Sequence, residues 1–91
     1  MPTDDYLDGN AAAGMMSEIF AADVTVAEAQ CAHCGITKRF AEAHVYLQAP
    51  GLVARCAGCG SVLLRVVRAG GRAYIDARGM TQLAFEMPER G

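Results

Sequence analysis

The 91-residue sequence has no tryptophan and only three tyrosines and three phenylalanines. Large aromatic side chains therefore cannot fill an interior, and with Ala and Gly supplying much of the 53% apolar fraction the chain is limited to a thin core. No apolar run approaches the ~18 residues of a membrane-spanning helix, so no membrane partner is expected. The start, Met1-Pro2-Thr3-Asp4-Asp5, has neither the basic nor the apolar segment of a secretory signal, and a soluble cytoplasmic protein is expected. Charged residues make up only 20% of the chain, too few for a disordered protein of this hydrophobicity. Lys and Arg are absent from residues 1–30, where Asp4, Asp5, Asp8, Glu18, Asp23 and Glu28 are acidic; all eight basic residues follow. Also lacking are a Gly-x-Ser-x-Gly nucleophile motif, a Gly-rich phosphate loop and a carboxylate pair beside a base, so the chain is not expected to be an enzyme.

A fold this small often needs a metal or disulfides to hold it. The sequence supplies two matching motifs, Cys31-Ala32-His33-Cys34-Gly35 and Cys56-Ala57-Gly58-Cys59-Gly60. A two-residue gap lets one tight turn present two sulfurs to one ion, and two such turns complete the tetrahedral shell that zinc prefers. In both motifs Gly follows the second Cys, where the backbone turns left-handed and its N–H groups can point at the thiolates. Cys31, Cys34, Cys56 and Cys59 are thus the expected ligands of one Zn2+ per chain. Disulfides are disfavoured in a reducing compartment, and a thioredoxin-like site needs a βαβ unit that the surrounding pattern lacks. An iron site with four thiolates has the same ligand set and stays open. Four sulfurs fill a structural shell, so His33 is expected as an exposed turn residue and His44 as a half-buried strand residue.

The pattern along the chain predicts a mostly β, small α+β fold: one domain over residues 1–91, a zinc ribbon of antiparallel hairpins with one N-terminal amphipathic helix. Residues 1–9 are expected to be a flexible acidic end, 10–22 a helix capped by Asp8 or Asn10, 24–86 the ribbon and 87–91 a flexible tail. Runs rich in Val, Thr and Ala predict strands over 25–30, 38–47, 52–56, 62–69 and 72–78. The alternating stretch 80–85 fits either a strand or a short helix. Gly70-Gly71 reads as a two-residue hairpin turn, which sets Ala69 opposite Arg72, Val67 opposite Tyr74, Val66 opposite Ile75 and Arg65 opposite Asp76. Val62, Leu64, Val66, Ala73, Ile75 and Ala77 are then expected to form the core face.

Ala12, Met15, Met16, Ile19 and Phe20 form one apolar stripe on the N-terminal helix. Its simplest seat is the chain's own sheet; alternatively Met15, Met16, Ile19 and Phe20 face a protein partner or a second copy in a homodimer. The leading functional expectation is a non-enzymatic protein-interaction module with a structural zinc. A second is a nucleic-acid-binding ribbon using Lys38, Arg39, Arg55, Arg65, Arg68, Arg72 and Arg78 on phosphates, against which stands the net charge of −2. A third is thiol or metal sensing, in which oxidation releases zinc.

The segment Leu7-Asp8-Gly9-Asn10-Ala11-x-Ala13-Gly14, together with Cys31-x-x-Cys34-Gly35, Tyr46-x-x-Ala49-Pro50-Gly51, Arg55-Cys56-x-x-Cys59 and Leu64-Arg65, resembles a family of small bacterial proteins defined by a domain of unknown function. The resemblance spans nearly the whole chain and implies a zinc-ribbon domain with an N-terminal helix. The cysteine pairs also resemble the zinc domain of the hydrogenase nickel metallochaperones. There a His directly after the initiator Met binds nickel; this chain begins Met1-Pro2, so only the zinc half of that resemblance carries over.

Overall fold

The computed structural model describes residues 6–17, 23–48 and 51–86. In chain order these form β1 (Leu7–Asp8), a 3-10 turn at Gly9–Ala12 running into α1 (Ala13–Met16), and a second 3-10 turn at Val24–Val26. There follow β2 (Glu28–Cys31), β3 (Thr37–Arg39), a 3-10 turn at Phe40–Glu42, β4 (His44–Gln48), β5 (Gly51–Arg55), β6 (Val62–Ala69), β7 (Arg72–Asp76) and β8 (Met80–Ala84). Among the described residues the strands make two antiparallel sheets, one of five strands in the order β1-β4-β5-β6-β7 and one of three in the order β3-β2-β8. This is the small, mostly β α+β fold that the sequence pattern predicts. No helix among the described residues is long and apolar enough to cross a membrane.

The β6–β7 hairpin has the expected register, with Arg65 opposite Asp76, Val66 opposite Ile75, Val67 opposite Tyr74 and Ala69 opposite Arg72. Its cause is local: Gly70 and Gly71 take φ of 60° and 77°, which a residue with a Cβ adopts only at a cost. Of the six residues expected on the core face, two are buried there. Leu64 and Val66 are buried, but Ala73, Ile75 and Ala77 are exposed, because β7 extends past the part of the sheet that the rest of the chain covers. Val62 also leaves that face. Leu64 pairs with Ala54 and Val62 with Arg55, so Leu63 is an extra, bulged residue that turns inward and is buried in the core.

Short side-chain caps explain where the other elements depart from expectation. Asp23 accepts hydrogen bonds from the Thr25 backbone N–H at 3.0 Å and the Thr25 hydroxyl at 2.7 Å, so residues 24–26 coil into a 3-10 turn and the strand starts only at Glu28. The expected strand over 38–47 is split by the turn at Phe40–Glu42, through which the chain passes from one sheet to the other with Phe40 in the core. At the end of β7, Asp76 accepts from the Arg78 backbone N–H at 3.2 Å and ends the strand before residue 78. Residues 80–84 resolve as strand β8, paired with β2.

The N-terminal segment is more ordered than expected from residue 6 onward. Leu7 and Asp8 pair with Val45 and His44, and the Tyr6 ring stacks on His44 with centroids 3.7 Å apart. Asp8 caps the following turn by accepting from the Asn10 N–H at 3.0 Å. Of the expected helix over 10–22, the described part starts as a 3-10 turn and becomes α-helical at Ala13; residues 18–22, residues 1–5 of the end expected to be flexible over 1–9, and 87–91 lie outside the described residues.

One core joins both sheets and the helix: Ala12, Met16, Phe40, Val45, Leu52, Leu64 and Val66 belong to it together with Cys31 and Cys56. Met16 is 1% exposed, so this part of the apolar stripe docks on the chain's own sheet and is not open to a partner. Met15 is half-buried against the same core, and Ile19 and Phe20 lie outside the described residues. Truncating Met16 to Ala should therefore destabilise the fold by about 2–4 kcal/mol, read from the urea midpoint by circular dichroism. Gly51 sits where β5 meets β6 most closely, and a Cβ there would fall on the Val66 carbonyl oxygen. Gly51→Ala should cost about 2–3 kcal/mol. Gly70→Asn should stay within about 1 kcal/mol, because Asn tolerates a left-handed backbone and nothing lies near its Cβ.

Candidate metal centre

Each Cys-x-x-Cys-Gly motif closes a strand and opens the next: residues 31–35 join β2 to β3, and 56–60 join β5 to β6. The two turns share one hydrogen-bond pattern. The Gly35 N–H donates to the Cys31 carbonyl at 2.9 Å and the Cys31 N–H to the Ile36 carbonyl at 2.9 Å. Their counterparts are the Gly60 N–H to the Cys56 carbonyl at 2.9 Å and the Cys56 N–H to the Ser61 carbonyl at 2.8 Å. Gly35 and Gly60 both hold φ near +80°, at 81° and 82°. Here the glycine after the second Cys lets the chain reverse without a Cβ clash.

This backbone aims its N–H groups at sulfur. The Cys31 Sγ accepts from the His33 and Cys34 N–H groups at 3.3 and 3.5 Å, and the Cys56 Sγ from the Gly58 N–H at 3.3 Å. The four Sγ atoms all lie within 4.8 Å of one another and form a group that could hold a metal ion. Cys31 Sγ is 3.7 Å from Cys59 Sγ, and Cys34 Sγ is 3.8 Å from Cys56 Sγ. In a tetrahedron of thiolates around one ion, a metal–sulfur bond of ~2.3 Å sets the sulfur–sulfur edge at ~3.8 Å. Both short pairs cross from one turn to the other, as ligands shared by one ion must. Cys31 and Cys56 are buried and Cys34 and Cys59 exposed, so the cluster straddles the edge of the core. Ile36, Phe40 and Leu63 line an apolar cleft against the two buried cysteines.

The outer sulfurs differ in acidity. The Ser61 hydroxyl and backbone N–H, helped by the Cys31 and Cys34 sulfurs, pull Cys59 down to about 6. Cys34 receives the Ile36 N–H, which lowers its pKa, but desolvation and the Cys59, Cys31 and Cys56 sulfurs outweigh it and push the thiol up to about 11. Ser61 was not legible as a site residue from the sequence. The signal that finds it is the repeat of the turn, because the residue two beyond the second Cys donates its N–H to that sulfur, and at position 61 this residue also carries a hydroxyl.

The histidines sit where the sequence places them, His33 exposed on the first turn and His44 half-buried under Tyr6. Strand pairing puts Arg55, Arg65 and Arg72 on one face of the five-stranded sheet. Arg55 donates to the Gly60 carbonyl at 2.9 Å, bracing the second cysteine turn, and its guanidinium lies 6.0 Å from the centre of the Tyr46 ring. Arg78 pairs with Asp76 at 3.0 Å, and Arg65 faces the same carboxylate across the hairpin. The Arg78 backbone N–H first, then its side chain and Arg65, hold the Asp76 pKa below the ordinary carboxylate value. Strand alternation puts Arg68 on the face opposite Arg65 and Arg72. Lys38 pairs with Glu42 at 3.7 Å.

A metal-bound cluster carries fewer protons than the free one, so lowering the pH favours the free form. Cys34, a thiol when free at neutral pH, must give up its proton to bind, so the apparent metal affinity should fall at least about tenfold for each pH unit lost. Below pH about 6 the free Cys59 also takes up a proton, and the fall should steepen to about a hundredfold per unit or more. Ser61→Ala should move that break to higher pH, as read by competition with a chromophoric chelator.

No curated protein and no solved structure matches the chain. A family model described as a family of unknown function (DUF6510) matches residues 3–88, nearly the full length, and the chain belongs to that family.

Proposed function

We propose that the four cysteines hold one structural zinc ion and that the chain is a zinc ribbon serving as a non-enzymatic protein-interaction module in the reducing cytoplasm. The observation that carries the reading is the pair of cross-turn sulfur distances, 3.7 and 3.8 Å, which match the edge of a tetrahedral thiolate shell. Four sulfurs fill such a shell and leave no coordination position for water or substrate, which favours a clamp over a catalyst. The backbone N–H groups on Cys31 and Cys56 spread the charge that four thiolates bring, and zinc offsets it further. The interaction role is supported by large apolar side chains left exposed on strands, with Leu47 at 49%, Tyr74 at 55% and Ile75 at 41%. Against the nucleic-acid reading, Arg55 and Arg78 are engaged within the chain and the net charge is −2.

Metal analysis with native mass spectrometry should find one zinc per chain and no visible absorption. A coloured, iron-bearing protein or a metal-free native fold would reject the assignment. Stripping the ion with excess chelator should unfold both sheets, because binding free energy of roughly 10 kcal/mol or more is folding energy in small zinc domains.

A further inference from the structure

Strand β7 is the outer strand of the five-stranded sheet, and among the described residues it pairs only with β6. In a two-residue hairpin the residues flanking the turn exchange both hydrogen bonds, so Ala69 bonds Arg72, and Arg72, Tyr74 and Asp76 turn their backbone groups toward β6. Ala73 and Ile75 therefore turn N–H and C=O outward. The strand has no proline, and its free backbone groups belong to uncharged residues. Across the sheet, Leu52, Val66 and Ile75 lie in one row; the first two are 2% and 0% exposed, while Ile75 is 41% exposed at the end of it. The apolar row of the core thus runs out to an edge that no other described strand covers.

We propose that this edge binds a second copy of the chain, β7 against β7 in antiparallel register about a two-fold axis at Tyr74. The strand reads Arg72-Ala73-Tyr74-Ile75-Asp76, and reversing it onto itself sets Arg72 opposite the partner's Asp76 and Asp76 opposite the partner's Arg72. Ala73 then faces the partner's Ile75. Those are the residues whose backbone groups point outward, so hydrogen-bond parity and charge pattern select the same register. Tyr74 packs beside the partner's Tyr74 at the non-bonded site, where side chains lie closest.

The other edges are poorer templates. β1 has only two residues and β3 only three, including Lys38 and Arg39. β8 carries no charge pattern to set a register, and its pairing is interrupted at Thr81, where Gln30 meets Gln82 and Cys31 meets Met80.

The inference names a partner for the interaction module proposed above and rests on that reading. One strand pair buries less than a standard interface, so a weak dimer is expected, with a dissociation constant on the order of 10–100 µM. The test is native mass spectrometry and light scattering of the full metal-loaded chain from about 1 µM to about 500 µM. Ile75→Pro removes one outward N–H without touching the ladder to β6 and should weaken the dimer at least tenfold, with circular dichroism unchanged. Arg72→Asp and Asp76→Arg should each weaken self-association, while an equimolar mixture restores dimers as the mixed species, because each then meets its opposite charge. A wild type that stays monomeric at the highest concentration, a dimer indifferent to Ile75→Pro, or a mixture no more associated than its components overturns the proposal. Native spectra keep the two readings separate. A zinc-loaded monomer ends the dimer alone, and a zinc-free dimer that Ile75→Pro weakens ends the zinc assignment alone.

Discussion

Four sulfurs are brought together by two strand-ending turns that belong to different sheets. Cys31 closes β2 in the three-stranded sheet, and Cys56 follows β5 in the five-stranded one. Four closely spaced thiolates repel one another, so the cluster holds only as far as protons, backbone N–H groups or a cation compensate the charge. In a free cluster the Ser61 hydrogen bonds hold Cys59 at about 6, while desolvation and the neighbouring sulfurs outweigh the Ile36 N–H and raise Cys34 to about 11. The buried pair Cys31 and Cys56 also belongs to the hydrophobic core, with Phe40 and Leu63 against them. Site and core are therefore one structure, and whatever neutralises the sulfurs also fixes how the sheets meet.

The parts of the fold that were legible in the sequence are those set within a few residues. Gly70-Gly71 dictates a turn, and the turn dictates the register of β6 on β7 down to Arg65 opposite Asp76. The Cys-x-x-Cys-Gly repeat likewise carries its own geometry, and the cluster follows from two copies of it. Burial was less legible, because it depends on what covers a face. The same pattern that buries Leu64 and Val66 leaves Ile75 exposed. The bulge at Leu63 reverses the parity of Val62, and no residue-type signal marks it. The Asp23 cap on Thr25 and the Asp76 cap on Arg78 shortened the strands expected over 25–30 and 72–78, because a hydrogen bond to one side chain overrides the local strand pattern.

The charge asymmetry takes on a local meaning. The basic excess of residues 31–91 suggests a phosphate-binding surface, yet Arg55 holds the Gly60 carbonyl, Arg78 holds Asp76 and Lys38 reaches Glu42. Two of these contacts sit at structural junctions. Arg55 braces the turn that presents Cys56 and Cys59, and Arg78 closes the turn between β7 and β8. Exposed pairs of this kind add little stability each, and their effect is to set the path of the chain.

The cluster and the free edge are linked through β6. That strand begins directly after Ser61, whose N–H and hydroxyl reach Cys59, and it ends at the Gly70-Gly71 turn that starts β7. The turn that presents Cys56 and Cys59 leads into the junction of β5 and β6, where Leu63 bulges and Arg55 meets Val62. Beyond that junction the register runs without interruption through Leu64 to Ala69 and across the turn to Asp76. Since a one-residue slip would carry every side chain to the other face, the junction of β5 and β6 fixes which face each β6 side chain takes, and the Gly70-Gly71 turn then sets β7 on β6. The edge at Tyr74 and Ile75 thus depends on both ends of β6, the cysteine turn that precedes it and the glycine turn that follows it.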